Sequence, residues 1–309
     1  MNYLKLFFYS IAFLFMSCEK VIEPGDLPEQ DARIVVNSIL YTNQSFRVNI
    51  SVSKSILSGK DYKYIKNAVC GIYENDVLIE SLQTDTNGDC RSSFEPKANK
   101  KYTIKVSAPN FEGEVIASTT IPDKVRHTSI ERYDTLNYNY RFISNDSTQI
   151  SGSTKFKFKI IDDLTQKNYY SIQSSVLFFD SLNQQMFPQH YKYLINNSNN
   201  SNNQNNYDAY TINLDDLTLV NGNEIAVDFE LSVNSENSYD VKSMQVYLYL
   251  YSLSEDYYKY KTTLNKQAST GVSLFAEPVL VYSNVNNGMG IVAGVNQETV
   301  LIYNGILKK

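Results

Sequence analysis

Short segments in which hydrophobic and polar residues alternate are the feature that most constrains the fold of this chain. In residues 46–52 every even position is apolar and every odd position is polar, and residues 155–160 alternate lysine with Phe or Ile. A period of two is typical of strands that bury one face. The 25 tyrosines of the sequence also favour pleated, half-buried surfaces. We therefore predict a mainly β protein.

The spacing of turn signals predicts two β domains. Before Ile121-Pro122, seven short apolar segments follow one another, with a hairpin turn at Glu74-Asn75-Asp76 and a second turn at Asn87-Gly88. This density of strands is typical of an immunoglobulin-like or fibronectin-like β-sandwich, which we place at residues 31–122. The alternation restarts after Pro122, so we predict a larger β-rich domain over residues 123–309.

Three segments of the larger domain depart from simple alternation. Residues 254–267 carry acids first and lysines later, after an N-cap at Ser252 or Ser254, and predict one α-helix. Asparagine and serine dominate residues 195–207, so we predict a disordered loop there. In residues 245–251 tyrosines alternate with aliphatic residues, which fits either a strand covered on both faces or a ligand-binding platform.

The N-terminus has the pattern of a bacterial lipoprotein signal. An apolar run that begins near Leu4 ends at Cys18, and it is too short for a membrane span. We predict that residues 1–17 are a signal peptide, that Cys18 carries acyl chains, and that residues 18–30 form an extended tether. A plain secretory signal and a short anchor helix are the alternatives.

The other two cysteines lie in predicted strands of the first domain. Cys70 alternates in phase with Ala68, and Cys90 alternates in phase with Phe94. An exported protein meets an oxidising compartment in which a disulfide persists, so Cys70 and Cys90 are a candidate disulfide pair. The alternative is two buried thiols that behave as small hydrophobic side chains.

No motif of known chemistry occurs in the sequence. The net charge is −5 and no basic patch stands out, which argues against nucleic acid as a partner. The chain has two histidines and lacks zinc-ligand spacings, phosphate-binding loops and nucleophile elbows, so we expect no metal, no cofactor and no enzymatic activity. The carboxylate pairs Asp162-Asp163 and Asp215-Asp216 are candidates for calcium binding or glycoside hydrolysis, but acidic residues in turns are commonly caps.

Several short motifs follow one another along the whole mature chain: Ser17-Cys18-Glu19-Lys20-Val21-Ile22, Ile34-Val35-Val36, Thr120-Ile121-Pro122, Asp256-Tyr257-Tyr258-Lys259-Tyr260, Phe275-Ala276-Glu277-Pro278, and Ser283 to Ile291. In this order they resemble a family of Bacteroidetes lipoproteins of unknown function, commonly encoded beside TonB-dependent outer-membrane receptors. The resemblance implies an outer-membrane-anchored lipoprotein with an N-terminal β-sandwich, a larger C-terminal β domain and no catalytic residues. Display on the cell surface is expected, with the periplasmic face as the alternative.

We therefore expect a non-enzymatic accessory partner of a TonB-dependent receptor in nutrient uptake. An independent glycan- or peptide-binding module and a carboxylate-dependent surface hydrolase are the alternative hypotheses. The candidate partner-docking loop lies in residues 275–290, where a rigid apolar corner precedes a flexible turn. It consists of Phe275, Glu277, Pro278, Asn284, Gly288 and Gly290. A tight loop that packs the helix onto the sheet is the other interpretation of this segment.

Overall fold

The computed structural model describes twelve stretches of the chain, and the statements below concern those residues. They are residues 31–54, 63–132, 137–144, 147–163, 165–180, 182, 184–186, 190–197, 211–215, 224–237, 242–270 and 279–306. This part of the chain contains eighteen strands and one helix, which confirms the predicted mainly β class with a single helix. The predicted signal peptide, Cys18 and the tether lie outside the described residues.

The strands, in chain order, are β1 (Ile34–Tyr41), β2 (Arg47–Val52), β3 (Val69–Glu74), β4 (Val77–Gln83), β5 (Asp89–Arg91), β6 (Lys101–Ser107), β7 (Val115–Thr120), β8 (Arg126–His127), β9 (Glu131–Arg132), β10 (Asn137–Ser144), β11 (Ser147–Ile161), β12 (Tyr169–Phe179), β13 (Gln185–Met186), β14 (His190–Asn197), β15 (Thr211–Asp215), β16 (Glu224–Asn237), β17 (Ser243–Leu253) and β18 (Met289–Ile306). The helix α1 (Glu255–Thr270) lies between the last two strands. Of the predicted disordered loop, residues 195–197 belong to β14 and the remainder lies outside the described residues.

One large sheet, which we call the central sheet, runs through both halves of the molecule. Its strand order is β13-β12-β17-β18-β1-β2-β5, and β15 also pairs with β12. All its pairs are antiparallel except β1 with β18, which run parallel from the Val35–Met289 pair to the Tyr41–Val295 pair. The first and last strands of the described chain are therefore neighbours.

A four-stranded sheet of order β4-β3-β6-β7 packs on one end of the central sheet. Together with β1, β2 and β5 it encloses the N-terminal core, in which Phe46 and Tyr102 are the largest fully buried side chains. Their rings meet edge-on, with centroids 5.3 Å apart, as aromatic quadrupoles prefer. The predicted hairpin between β3 and β4 is confirmed, since Asn75 and Asp76 take left-handed φ angles of 46° and 68° in a two-residue turn.

The third sheet, of order β10-β11-β16-β14, packs on the other end of the central sheet. Strands β8 and β9 also pair with β11. The C-terminal core lies between β11 and β16 on one side and β12 and β17 on the other. Phe156 and Phe158 of β11 face Phe178 and Leu248 across this core, and all four side chains are buried. The C-terminal half of the described chain thus has a core of its own.

Strand β18 joins the two halves, and no alternation of hydrophobic and polar residues predicts it. Residues 291–296 are all buried, because both faces of β18 are covered there and the sequence does not alternate. Its first half pairs with β1 and its second half with β17. The central sheet therefore contains strands from both sides of residue 122.

Helix α1 packs against the face of the central sheet opposite the two cores. Of the two predicted N-caps, Ser254 is the one the structure uses: its Oγ accepts from the Tyr257 N–H at 3.3 Å and from the Gly294 N–H of β18 at 3.1 Å. One hydroxyl therefore both starts the helix and fixes it to the sheet. In the part of the chain that is described, no helix is long and apolar enough to cross a membrane.

Candidate functional site

The outer face of the central sheet, beyond helix α1, carries three tyrosines in a row on β17. Even-numbered residues of β17 such as Leu248 are buried in the C-terminal core, so Tyr247, Tyr249 and Tyr251 point to the opposite side. Strand β17 pairs with β12 on one side and with β18 on the other, so each tyrosine has one neighbour on each of these strands. The result is three cross-strand rows. The rows are Ser175–Tyr247–Leu301, Gln173–Tyr249–Thr299 and Ser171–Tyr251–Gln297. We call these nine residues the tyrosine face.

The tyrosine rings are half-buried and the β18 side of the face is open. The Tyr249 and Tyr251 ring centroids lie 6.4 Å apart with the planes inclined by 32°. Tyr247 is fixed by its hydroxyl, which donates to Gln245 Oε1 at 2.9 Å. Thr299 and Leu301 are exposed, Leu301 to 46%. The face therefore presents ring surface beside amide and hydroxyl groups.

No residue of the tyrosine face carries a formal charge. Burial raises the pKa of Tyr251 to about 12, and Tyr41 and Tyr249 add to the shift, so this phenol stays neutral at physiological pH. The outer face of β11 is different: Lys155, Lys157 and Lys159 are exposed there, and Lys157 lies 3.4 Å from Glu131 in an ion pair.

Helix α1 stands at one end of the tyrosine face and covers the next cross-strand row, Tyr169–Leu253–Val295. The rings of Tyr169 and Tyr258 stack with centroids 4.4 Å apart. Tyr257 lies against Tyr41 of β1 and shares a hydrogen bond with it. The helix therefore forms a raised aromatic edge beside Tyr251.

The described half of the candidate docking loop has packing roles. Asn284 Nδ2 donates to the carbonyls of Ser118 and Val292, and its Oδ1 accepts from the Val292 N–H at 3.0 Å. A Cβ added at Gly288 or Gly290 would meet the carbonyl oxygens of β1, so both glycines permit the close approach of this segment to the sheet. We assign no docking role to these three residues. Phe275, Glu277 and Pro278 lie outside the described residues.

The described carboxylate pair, Asp162-Asp163, is engaged in local structure. Asp162 is buried and accepts from the Tyr170 hydroxyl at 2.7 Å, whereas the neighbouring Asp163 caps a turn by accepting from the Thr165 N–H and hydroxyl. The Thr165 hydroxyl and amide lower the pKa of Asp163. Of the second pair, Asp215 lies in β15, but its side chain and Asp216 lie outside the described residues. No cluster of three metal-ligating side chains occurs among the described residues.

The two cysteines meet in the N-terminal core, from opposite sheets. Cys70 lies in β3 and Cys90 in β5, both are buried, and both are free thiols in this structure. Their sulfurs share a hydrogen bond, which together with burial raises the pKa of Cys70. Both side chains lie in one core, as their alternation in phase with Ala68 and Phe94 predicts.

The sequence signalled only part of the tyrosine face. The alternation in residues 245–251 identified the tyrosines, but not whether a second layer covers them. The partners on β12 and β18 come from strand register between residues about 46 to 80 positions apart, which no local pattern encodes.

A family model described as "Domain of unknown function (DUF4249)" matches residues 22–300. No curated protein matches the chain. Two solved structures share low similarity with it. Bovine butyrophilin has 4% identity over 71% of this chain and 92% of its own, at a TM-score of 0.19. BcpA, the major pilin subunit of Bacillus cereus, has 9% identity over 88% of this chain and 69% of its own, at a TM-score of 0.18. These TM-scores are too low to carry an argument about fold or function.

Proposed function

We propose a binding function for this chain, which belongs to the DUF4249 family of domains of unknown function. In this proposal the chain is a lipid-anchored, non-enzymatic binding protein of the outer membrane. It is displayed at the cell surface and acts as the accessory partner of a TonB-dependent receptor, helping the receptor to capture a nutrient. Acyl chains on Cys18 hold it there, since several buried chains make an anchor stable.

The tyrosine face is the observation that carries the proposal of binding. Half-buried aromatic rings with hydroxyl and amide neighbours offer large contact area at low entropic cost, which is typical of recognition surfaces. The pair Asp162-Asp163 supports a non-enzymatic role, because each of these carboxylates is engaged in local structure. The hydrolase hypothesis therefore has no support from the first pair.

The position of the tyrosine face suits capture at a distance from the membrane. The predicted tether ends at residue 30, close to the start of β1, and β18 starts beside it in the parallel pair. Gln297 lies eight residues along β18 from Met289, and Leu301 twelve. At about 3.3 Å per residue these positions are roughly 26 and 40 Å from the end where the tether enters.

Copurification from native membranes tests this proposal. Affinity-tagged full-length chain, extracted in detergent, is expected to bring down a TonB-dependent barrel at near-stoichiometric yield. The Cys18→Ala variant is the matched control: we expect it to leave the membrane fraction and to lose the barrel while its folding is unchanged. Purification of the wild-type chain alone, or full function of the released variant, would contradict the proposal.

An independent glycan- or peptide-binding module is the second candidate, and the tyrosine face favours it equally. The two candidate functions differ in whether ligand binding requires the receptor. A module of this kind holds its ligand as a purified soluble chain and shows no dependence on a receptor.

A further inference from the structure

We infer that the tyrosine face binds the chain of a neutral polysaccharide, with the sugar rings lying against Tyr247, Tyr249 and Tyr251. This inference rests on the proposed function and names the ligand class of the same surface.

The side chains of the tyrosine face are complementary to both the face and the edges of a pyranose ring. One surface of a sugar ring presents C–H groups, which pack on the negative face of an aromatic ring. The edges of the sugar present hydroxyl groups, which need both donors and acceptors. Gln173 and Gln297 supply amides, and Ser175 and Thr299 supply hydroxyls, each of which both donates and accepts.

The lack of charge selects against ionic ligands. An anionic polysaccharide, a phosphate group or a nucleic acid would find no cation among the nine residues. A peptide would bring charged termini and side chains for which the face holds no partner. The paired lysines on the outer face of β11 show that the same chain does use charge on another exposed sheet surface.

The arrangement suits an extended chain rather than a single small molecule. Rows on one face are two residues apart along a strand, about 6.8 Å, and adjacent strands are about 4.8 Å apart. Three rows on three strands thus form a platform of roughly 14 by 10 Å. It is bounded by α1 beside the Tyr251 row and open toward Leu301, which is 46% exposed. A polymer enters and leaves such a platform along its length.

A binding panel on the soluble full mature chain, carrying Cys18→Ala, tests the inference. The probes are soluble neutral glucans, mannan and xylan, the acidic polysaccharides alginate and polygalacturonate, and a mixture of uncharged extended peptides. We expect binding to at least one neutral polysaccharide and to neither acidic one. Tyr249→Ala is expected to weaken that binding by about tenfold, the effect of losing one aromatic contact of 1.4 kcal/mol.

The control variant is Tyr64→Ala, since Tyr64 is 54% exposed and lies beside β2, outside the tyrosine face. It is expected to leave affinity unchanged. Tyr249→Phe keeps the ring and should retain most of the affinity, with melting temperatures verifying that each variant folds. Binding to no neutral polysaccharide, preference for the acidic polymers or the peptides, or equal losses in Tyr249→Ala and Tyr64→Ala would overturn the inference.

Failure of this inference is distinguishable from failure of the proposed function. If Tyr249→Ala loses polysaccharide binding while the wild-type chain purifies without a receptor barrel, the inference stands and the receptor partnership is wrong. If the barrel copurifies but no neutral polysaccharide binds, the partnership stands and the ligand class is wrong.

Discussion

Cys70 and Cys90 give the sharpest stability prediction, because they are in contact across the two sheets of the N-terminal half. We predict that in the exported chain these thiols are joined, each losing one proton and one electron to the disulfide of a thiol oxidoreductase. Both side chains are almost fully buried, at 0% and 1% exposure. The bond must therefore form while the chain folds, before the core closes over the sulfurs.

The size of the effect follows from the length of chain that the bond would close. The two cysteines are 20 positions apart, and closing a loop of this length removes enough unfolded-state entropy to stabilise the protein by about 3 kcal/mol. For a protein of this size each kcal/mol shifts the melting temperature by about 2–4 °C, so the oxidised form should melt roughly 6–12 °C above the reduced form.

Intact mass and thermal melting measure the two parts of this prediction. The exported protein should be lighter by two hydrogens than the same protein after reduction, and its thiols should resist alkylation in denaturant. Cys70→Ala and Cys90→Ala should each remove the difference between oxidised and reduced melting temperatures. Alkylation of both cysteines in exported, unreduced protein would refute the reasoning, and so would a bonded form that melts no higher than the reduced one.

Three further predictions concern single contacts. Ser254→Ala removes the N-cap and the contact to Gly294, so it should lower the free energy of unfolding by about 1–2 kcal/mol in denaturant melts, while Ser269→Ala near the helix end should be almost neutral. Gly290→Ala should cost more than Gly113→Ala, because both have positive φ but only the Cβ at residue 290 meets backbone; equal losses would contradict this. Burial opposes ionisation of Asp89, but hydrogen bonds from Asn49, Arg47 and Arg91 outweigh it and lower the pKa of this carboxyl. Its stabilising effect is therefore complete above the unfolded pKa near 3.9 and is lost as the pH falls through the lower folded value. Asp89→Asn should flatten that acid dependence in urea melts and should cost about 1–2 kcal/mol at pH 7.

Local signals in the sequence predicted local structure well. The Glu74-Asn75-Asp76 turn and the two strands beside it are confirmed, because left-handed Asn and Asp determine a two-residue hairpin without help from distant residues. The helix after Ser254 is confirmed for the same reason, since its cap and its first-turn acids lie within a few positions of each other.

Features that depend on distant pairing were not predictable from these patterns. Strand β18 is buried on both faces over residues 291–296, so it lacks the alternation that marks a strand with one face in solvent. Its parallel pairing with β1 links residues about 250 positions apart. The same limit applies to Asn284, which fixes a loop to β7 and β18 through three hydrogen bonds.

Chemical footprinting of tyrosines on the native membrane-bound protein is the most direct test of the tyrosine face as its binding surface. A tyrosine-modifying reagent is applied with and without the neutral polysaccharide that binds best, and modification is quantified at each residue by mass spectrometry. We predict that the polysaccharide protects Tyr247 and Tyr249, while the exposed Tyr64 is modified to the same extent in both samples. Equal modification of Tyr247 and Tyr249 in the two samples would contradict the account.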